Sequence, residues 1–142
     1  MKTVFLLFLV VVLMSGCVTA KWERAHAQNM YDKKRYDYSL CSNGGGKLLI
    51  QTRPPSEQWM IDSYRITIIG VTEYIVSKHS DTFIQLCPGN YDIEIGATTG
   101  KNNTGSFRRK WKFNVDIIDD DVITYEYEGP YWMWSKGKLK KK

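Results

Sequence analysis

Two histidines, three cysteines and one run of acids hold most of the reactive chemistry of this 142-residue chain. His26 and His79 change charge near neutral pH and have the groups to move a proton. His79 lies in Ser77-Lys78-His79-Ser80-Asp81, a turn between two strand-like runs, and no G-x-S-x-G or comparable nucleophile setting accompanies it. Asp119, Asp120 and Asp121 carry the oxygens that calcium prefers. Consecutive side chains point in different directions, however, and neither EF-hand spacing nor a closing glutamate follows, so the trio reads as a solvated turn. Cys41 and Cys87, far apart and with only two histidines in the chain, lack the compact spacing of a zinc site. The chain reads as non-enzymatic, with no metal and no cofactor.

Binding chemistry is better represented. The run GPYWMW, Gly129 to Trp134, is denser in large aromatics than an exposed edge tolerates. As a strand it sends Tyr131 and Met133 to one side and Trp132 and Trp134 to the other. One side can be core; the other needs a cover, which the Trp22 segment, a partner protein or a lipid or glycan surface would supply. Tyr131, Trp132 and Trp134 are therefore a candidate binding patch. Beyond them Lys136, Lys138, Lys140, Lys141 and Lys142 read as an exposed, unstructured tail attracted to anionic phosphates. The chain holds 20 basic and 15 acidic residues. With Lys2 and the five tail lysines set aside, the rest is near neutral, which argues against nucleic acid as a partner, since that needs cations spread along a face.

The elements that position these residues begin with an export signal. Lys2 supplies a positive start, Val4 to Met14 is unbroken apolar sequence, and Ser15, Gly16 and Cys17 follow. The run is too short to span a bilayer, which takes roughly 20 apolar residues. Leu13, Met14, Ser15, Gly16 and Cys17 resemble the lipobox of bacterial lipoproteins, with Met14 where leucine is commonest. The resemblance implies cleavage before Cys17, a diacylglycerol on its thiol and an acylated amine. Each buried methylene of such chains contributes about 0.8 kcal/mol, and two or three chains anchor stably where one does not. An aspartate after the cysteine tends to hold Gram-negative lipoproteins in the inner membrane; Val18 is none, so the resemblance implies the outer membrane. Val18, Thr19 and Ala20 form a rival site, and cleavage after Ala20 would release a secreted or periplasmic protein.

With Cys17 assigned to lipid, Cys41 and Cys87 remain in a chain exported to an oxidising compartment, and we expect them to form one disulfide.

Removal of residues 1–16 leaves one ordinary domain. Residues 17–40 read as the lipidated cysteine followed by a tether or short helix. Residues 41–135 read as an all-β domain, an antiparallel β-sandwich of about seven short strands, and residues 136–142 as the basic tail. CSNGGG, Cys41 to Gly46, breaks regular structure at the domain's start. Strands are expected over Lys47–Arg53, Ser63–Ile69 with Tyr64, Ile66 and Ile68 on one face, Val71–Val76, Thr82–Leu86, Tyr91–Ile95, Phe107–Val115 and Val122–Glu128. Cys87-Pro88-Gly89-Asn90 fits a type II turn, and a hairpin is expected there. The string TFIQLCPGNYDIEI resembles the strand-turn-strand of transthyretin-like and PEGA-type β-sandwich domains of bacterial envelope proteins.

The resulting expectation is a lipid-anchored outer-membrane lipoprotein whose non-enzymatic sandwich binds or braces an envelope protein. An alternative is an accessory subunit of a secretion or surface-assembly machine, because the lipoprotein subunit of type VI secretion systems also resembles a lipid-anchored transthyretin-like sandwich. A small envelope hydrolase stands third.

Overall fold

Strict alternation of apolar and polar side chains dictates most of the strands, since successive residues of a strand face opposite sides. The computed structural model describes residues 32–54, 63–99, 105–106, 109–130 and 135–142. Cys17, the tether through residue 31, and Tyr131, Trp132 and Trp134 lie outside the described residues.

Among the described residues ten strands appear in chain order: β1 (Lys34–Ser39), β2 (Gly46–Arg53), β3 (Ser63–Ile68), β4 (Thr72–Ser77), β5 (Ser80–Leu86), β6 (Gly89–Thr99), the two-residue β7 (Gly105–Ser106), β8 (Trp111–Ile117), β9 (Val122–Glu128) and β10 (Lys138–Lys141). One sheet runs β1-β5-β2-β9-β10. The other runs β4-β3-β6-β8, with β7 pairing the far end of β6. The fold is all-β, two sheets packed as a sandwich.

In β2, Leu48, Ile50 and Thr52 are buried while Lys47, Gln51 and Arg53 face outward. Ile66 and Ile68 of β3, Ile84 and Leu86 of β5, Ile93 and Ile95 of β6, and Val115 and Ile117 of β8 complete the interior. Tyr64 and Tyr127 close one end of it edge to face, 5.0 Å between ring centroids. Tyr64 donates its hydroxyl to the Arg53 carbonyl at 2.9 Å. Burial raises both phenols well above the ordinary tyrosine value. Gly129 sits against that phenol: a Cβ there would stand 2.1 Å from the Tyr64 hydroxyl.

Three features depart from the sequence expectations. The sandwich is not wholly antiparallel, because β1 runs parallel to β5 and β2 parallel to β9; alternation gives each strand a buried face but does not choose its neighbour. Cys87-Pro88-Gly89-Asn90 is no hairpin: β5 lies in one sheet and β6 in the other, so this segment crosses between layers. Gly89 has φ 156°, far from the roughly 80° of a type II turn. Finally, the unit Lys33–Lys142 extends beyond the expected bounds at both ends. The lysine-rich end is strand β10, antiparallel to β9 with Leu139 opposite Tyr127 and half-buried against the core.

Candidate functional site

The strands define two poles. At one, the β1–β2, β3–β4, β5–β6 and β8–β9 connections meet; at the other lie the start of β1, the β4–β5 link and the ends that flank β10.

The first pole is built around the disulfide between Cys41 and Cys87, with sulfurs 2.09 Å and Cα atoms 4.9 Å apart. The expected pairing is present. Glycines flank it because backbone passes too close for side chains: a Cβ on Gly45, at φ 91°, would lie 2.2 Å from the Leu86 carbonyl oxygen, and one on Gly46 2.4 Å from that of Ile118. The acidic trio then ties this loop to the β8–β9 turn. Asp119 accepts the Gly45 N–H at 2.9 Å, and the Asp120 N–H reaches the Gly45 carbonyl at 3.1 Å. Asp121 accepts the Lys47 N–H with its carbonyl and the Val122 N–H with its side chain. The trio is turn chemistry, and among the described residues no group of three or more His, Cys, Asp or Glu could hold a metal ion.

Exposed aliphatic side chains stand on the connections of this same pole. Leu40, Ile69, Val71, Ile118 and Val122, 39%, 48%, 55%, 63% and 56% exposed, are the large apolar residues left in solvent among the described ones. All five lie in, or next to, its connections. Ile118 and Val122 flank the acidic trio. The Ile69 N–H bonds to the Asp92 carbonyl at 2.9 Å. Asp92 and Asp116 belong to a polar ladder on β6 and β8, in which Asn114 donates to Asp92 at 2.9 Å and Asn90 donates to Asp116. Among the described residues, none of Asp92, Asp116, Asp119, Asp120 or Asp121 enters an ion pair.

Charge is arranged the other way at the far pole. Glu94 is gripped by Lys110 at 2.8 Å and Lys112 at 3.4 Å, and the Lys110 hydrogen bond holds its carboxyl below the usual range. Trp111 donates its indole N–H to the Gly137 carbonyl at 3.2 Å, and the Lys136 ammonium stands 5.4 Å from its ring centroid. These residues line an open depression of about 530 Å³. Glu126 takes Lys142 at 2.6 Å and Arg53 at 3.3 Å, and the Lys142 hydrogen bond lowers its pKa. The basic charge thus belongs to a folded edge rather than a loose tail. His79 lies in the β4–β5 link, where its carbonyl accepts the Lys34 N–H and its Nδ1 is buried without a hydrogen-bond partner.

A third feature, on the outer face of the first sheet, is a dish of about 260 Å³. Arg35 lies 4.3 Å over the Phe83 ring and holds Asp37 through bonds of 2.8 and 3.0 Å. Lys47, Gln85, Ser39 and Tyr38 complete its walls. The guanidinium already covers the aromatic floor, and the volume falls below the span usual for small-molecule sites.

No family model matches the chain, and no curated protein matches it. The candidate site therefore rests on the geometry alone. Sequence reasoning located the disulfide and missed the aliphatic pole, although a signal was there. In Ile68-Ile69 and Ile117-Ile118 only one member of each pair can face the interior of an alternating strand.

Proposed function

We propose that the chain is a non-enzymatic binding module of a bacterial outer membrane, anchored through lipidated Cys17 and presenting its disulfide pole to an envelope protein partner. The observation that carries the binding reading is that Leu40, Ile69, Val71, Ile118 and Val122, the large apolar side chains exposed among the described residues, all stand at one pole, since exposed apolar surface concentrated on one side marks interaction sites. Orientation adds support. Strand β1 begins at the lysine pole. Lysines and arginines near an anionic leaflet contribute about 1 kcal/mol each, which favours the lysine pole as the membrane-facing one. The disulfide supports export, because such bonds persist in oxidising compartments.

Anchoring depends on one sulfur. Cys17→Ser should leave an unprocessed precursor without lipid mass, whereas the wild type should partition into detergent and begin at Cys17 by mass spectrometry. A mature wild-type chain beginning at Lys21 would instead establish cleavage after Ala20 and secretion.

A further inference from the structure

We infer that the disulfide pole takes a cationic amphipathic protein segment, one that presents aliphatic side chains flanked by Lys or Arg. The inference deepens the binding reading above and rests on it, but not on the lipid anchor.

Two independent features define the occupant. The first is apolar: Ile118 and Val122 are more than half exposed on either side of the β8–β9 turn, and Ile69 and Val71 are exposed on the β3–β4 turn. The second is electrostatic. Asp92, Asp116, Asp119, Asp120 and Asp121 stand at the same pole as those aliphatics, and among the described residues each hydrogen bond to their carboxylates comes from a neutral N–H group. Lys47, cross-strand from Val122, is the cation nearest to the acidic trio along the paired strands, and Lys112, two positions along β8 from the Asn114 opposite Asp92, is engaged by Glu94. The arrangement contrasts with Glu94 and Glu126, each neutralised by two cations of its own chain.

This combination selects among possible covers. A bilayer with anionic headgroups would be repelled by five uncompensated carboxylates. A second copy offers exposed large aliphatics, among the described residues, only at its own disulfide pole. A symmetric contact would therefore set one acidic rim against another, which is destabilising. A segment with Lys or Arg beside its aliphatics satisfies both features at once, since complementary charge steers it and apolar burial holds it.

The test uses the full mature protein in zwitterionic nanodiscs, two synthetic peptides of alternating Leu-Lys and alternating Ser-Lys, and carbodiimide coupling, which joins a peptide amine to a contacting carboxylate. Mass spectrometry reads the coupled sites. The expected result is coupling at Asp119 to Asp121 and Asp92, about tenfold greater for Leu-Lys than for Ser-Lys, the ratio that about 1.4 kcal/mol of apolar contact provides. Ile118→Ser with Val122→Ser should erase that excess while leaving the Cys41–Cys87 bond intact. Asp120→Asn, compatible with the φ of 60° at this position, should lower coupling of both peptides without unfolding the turn. Equal coupling of the two peptides, or coupling centred away from this pole, overturns the proposal. So does protein-to-protein coupling of the pole in the absence of peptide, which marks a second copy, and so does protection of Asp119 to Asp121 from carbodiimide labelling by a small amine, without peptide, in phosphatidylglycerol but not in zwitterionic nanodiscs, which marks lipid. A chain that proves to be secreted yet shows the expected coupling defeats the anchor and leaves this inference standing.

Discussion

The two poles use carboxylates for opposite ends. At the disulfide pole Asp119 and Asp121 accept backbone N–H groups and shape turns, and their charge is left over. At the lysine pole Glu94 and Glu126 each gather two cations, and charge is what they are used for. Covalent and backbone constraints hold the first pole, and its aliphatic side chains are left in solvent. Ion pairs and aromatic packing hold the second, where Tyr64, Tyr127, Trp111 and Leu139 pack or hydrogen-bond around the ends of β9 and β10. One sandwich thus separates a surface that is stabilised by its charges from a surface that displays them.

The contrast breaks most visibly at the disulfide. Cys87→Ser frees a loop spanning 46 positions of sequence, and the lost restriction of the unfolded chain costs about 3–4 kcal/mol in the loop-entropy account. Urea unfolding of this variant beside the wild type should show that loss, together with labelling of Cys41 by a thiol reagent. A variant whose unfolding midpoint matches the wild type would mean that the Gly45 and Asp119 hydrogen bonds suffice to hold the pole.

What the sequence made legible was each strand's own face. Tyr64, Ile66 and Ile68, or Ile93 and Ile95, announce a buried side by period two, and the structure buries them. Pairing was not legible, because β2 and β9 run parallel across some 75 positions of sequence and a period-two pattern is the same beside any neighbour. Pro88-Gly89 signals that the chain turns; it carries no information on whether the chain returns to the same sheet or crosses to the other. Strand β10 was hidden by composition. Lys138, Lys140 and Lys141 surround one apolar residue, Leu139, and one residue cannot display a period. Lysine is also the residue that edge strands use to resist further pairing, so the feature that suggests a tail suits an edge. Of the candidate site, the cysteine pair followed from export and elimination. Of the aliphatic pole only the Ile68-Ile69 and Ile117-Ile118 doublets were legible, and which member of each is exposed depends on where a strand stops.

Truncation after Ser135 sharpens the comparison at the other pole. It removes β10, its ladder to β9, the half-buried Leu139 and the Lys142 contacts to Glu126 and Gln51. Partial burial of one leucine is worth about 1–2 kcal/mol, and the expected loss of stability is of that size, measured by the same urea titration. If the truncated chain unfolds with the wild type, the lysine pole owes its stability to the contacts that remain, Tyr64 with Tyr127 and the ion pairs of Glu94 and of Glu126 with Arg53. Peptide coupling at Asp119 to Asp121 should be unchanged in this variant, because β10 begins at the opposite pole.

The smallest expected effect concerns pH at Glu94. Its folded pKa lies below the ordinary glutamate value of 4.5, first through the Lys110 hydrogen bond and then through the charges of Lys110 and Lys112, against an opposing desolvation. A depressed carboxyl pKa stabilises the fold above the unfolded value, and that contribution disappears as pH falls through the folded value. Lys112 is 72% exposed, so water screens its share, and Lys110, which also arches over Gly96 with its Cγ 2.8 Å from where a Cβ would stand, supplies most of the effect. Glu94→Gln should therefore lower stability at neutral pH by about 0.2–1 kcal/mol, the range of partly exposed ion pairs. The difference from the wild type should shrink below pH 4.5, where the glutamate protonates and resembles its amide. Paired urea titrations at neutral and acidic pH measure it. A difference that stays constant with pH would assign Glu94 a packing role and leave Glu126 as the charge-stabilised carboxylate of this pole.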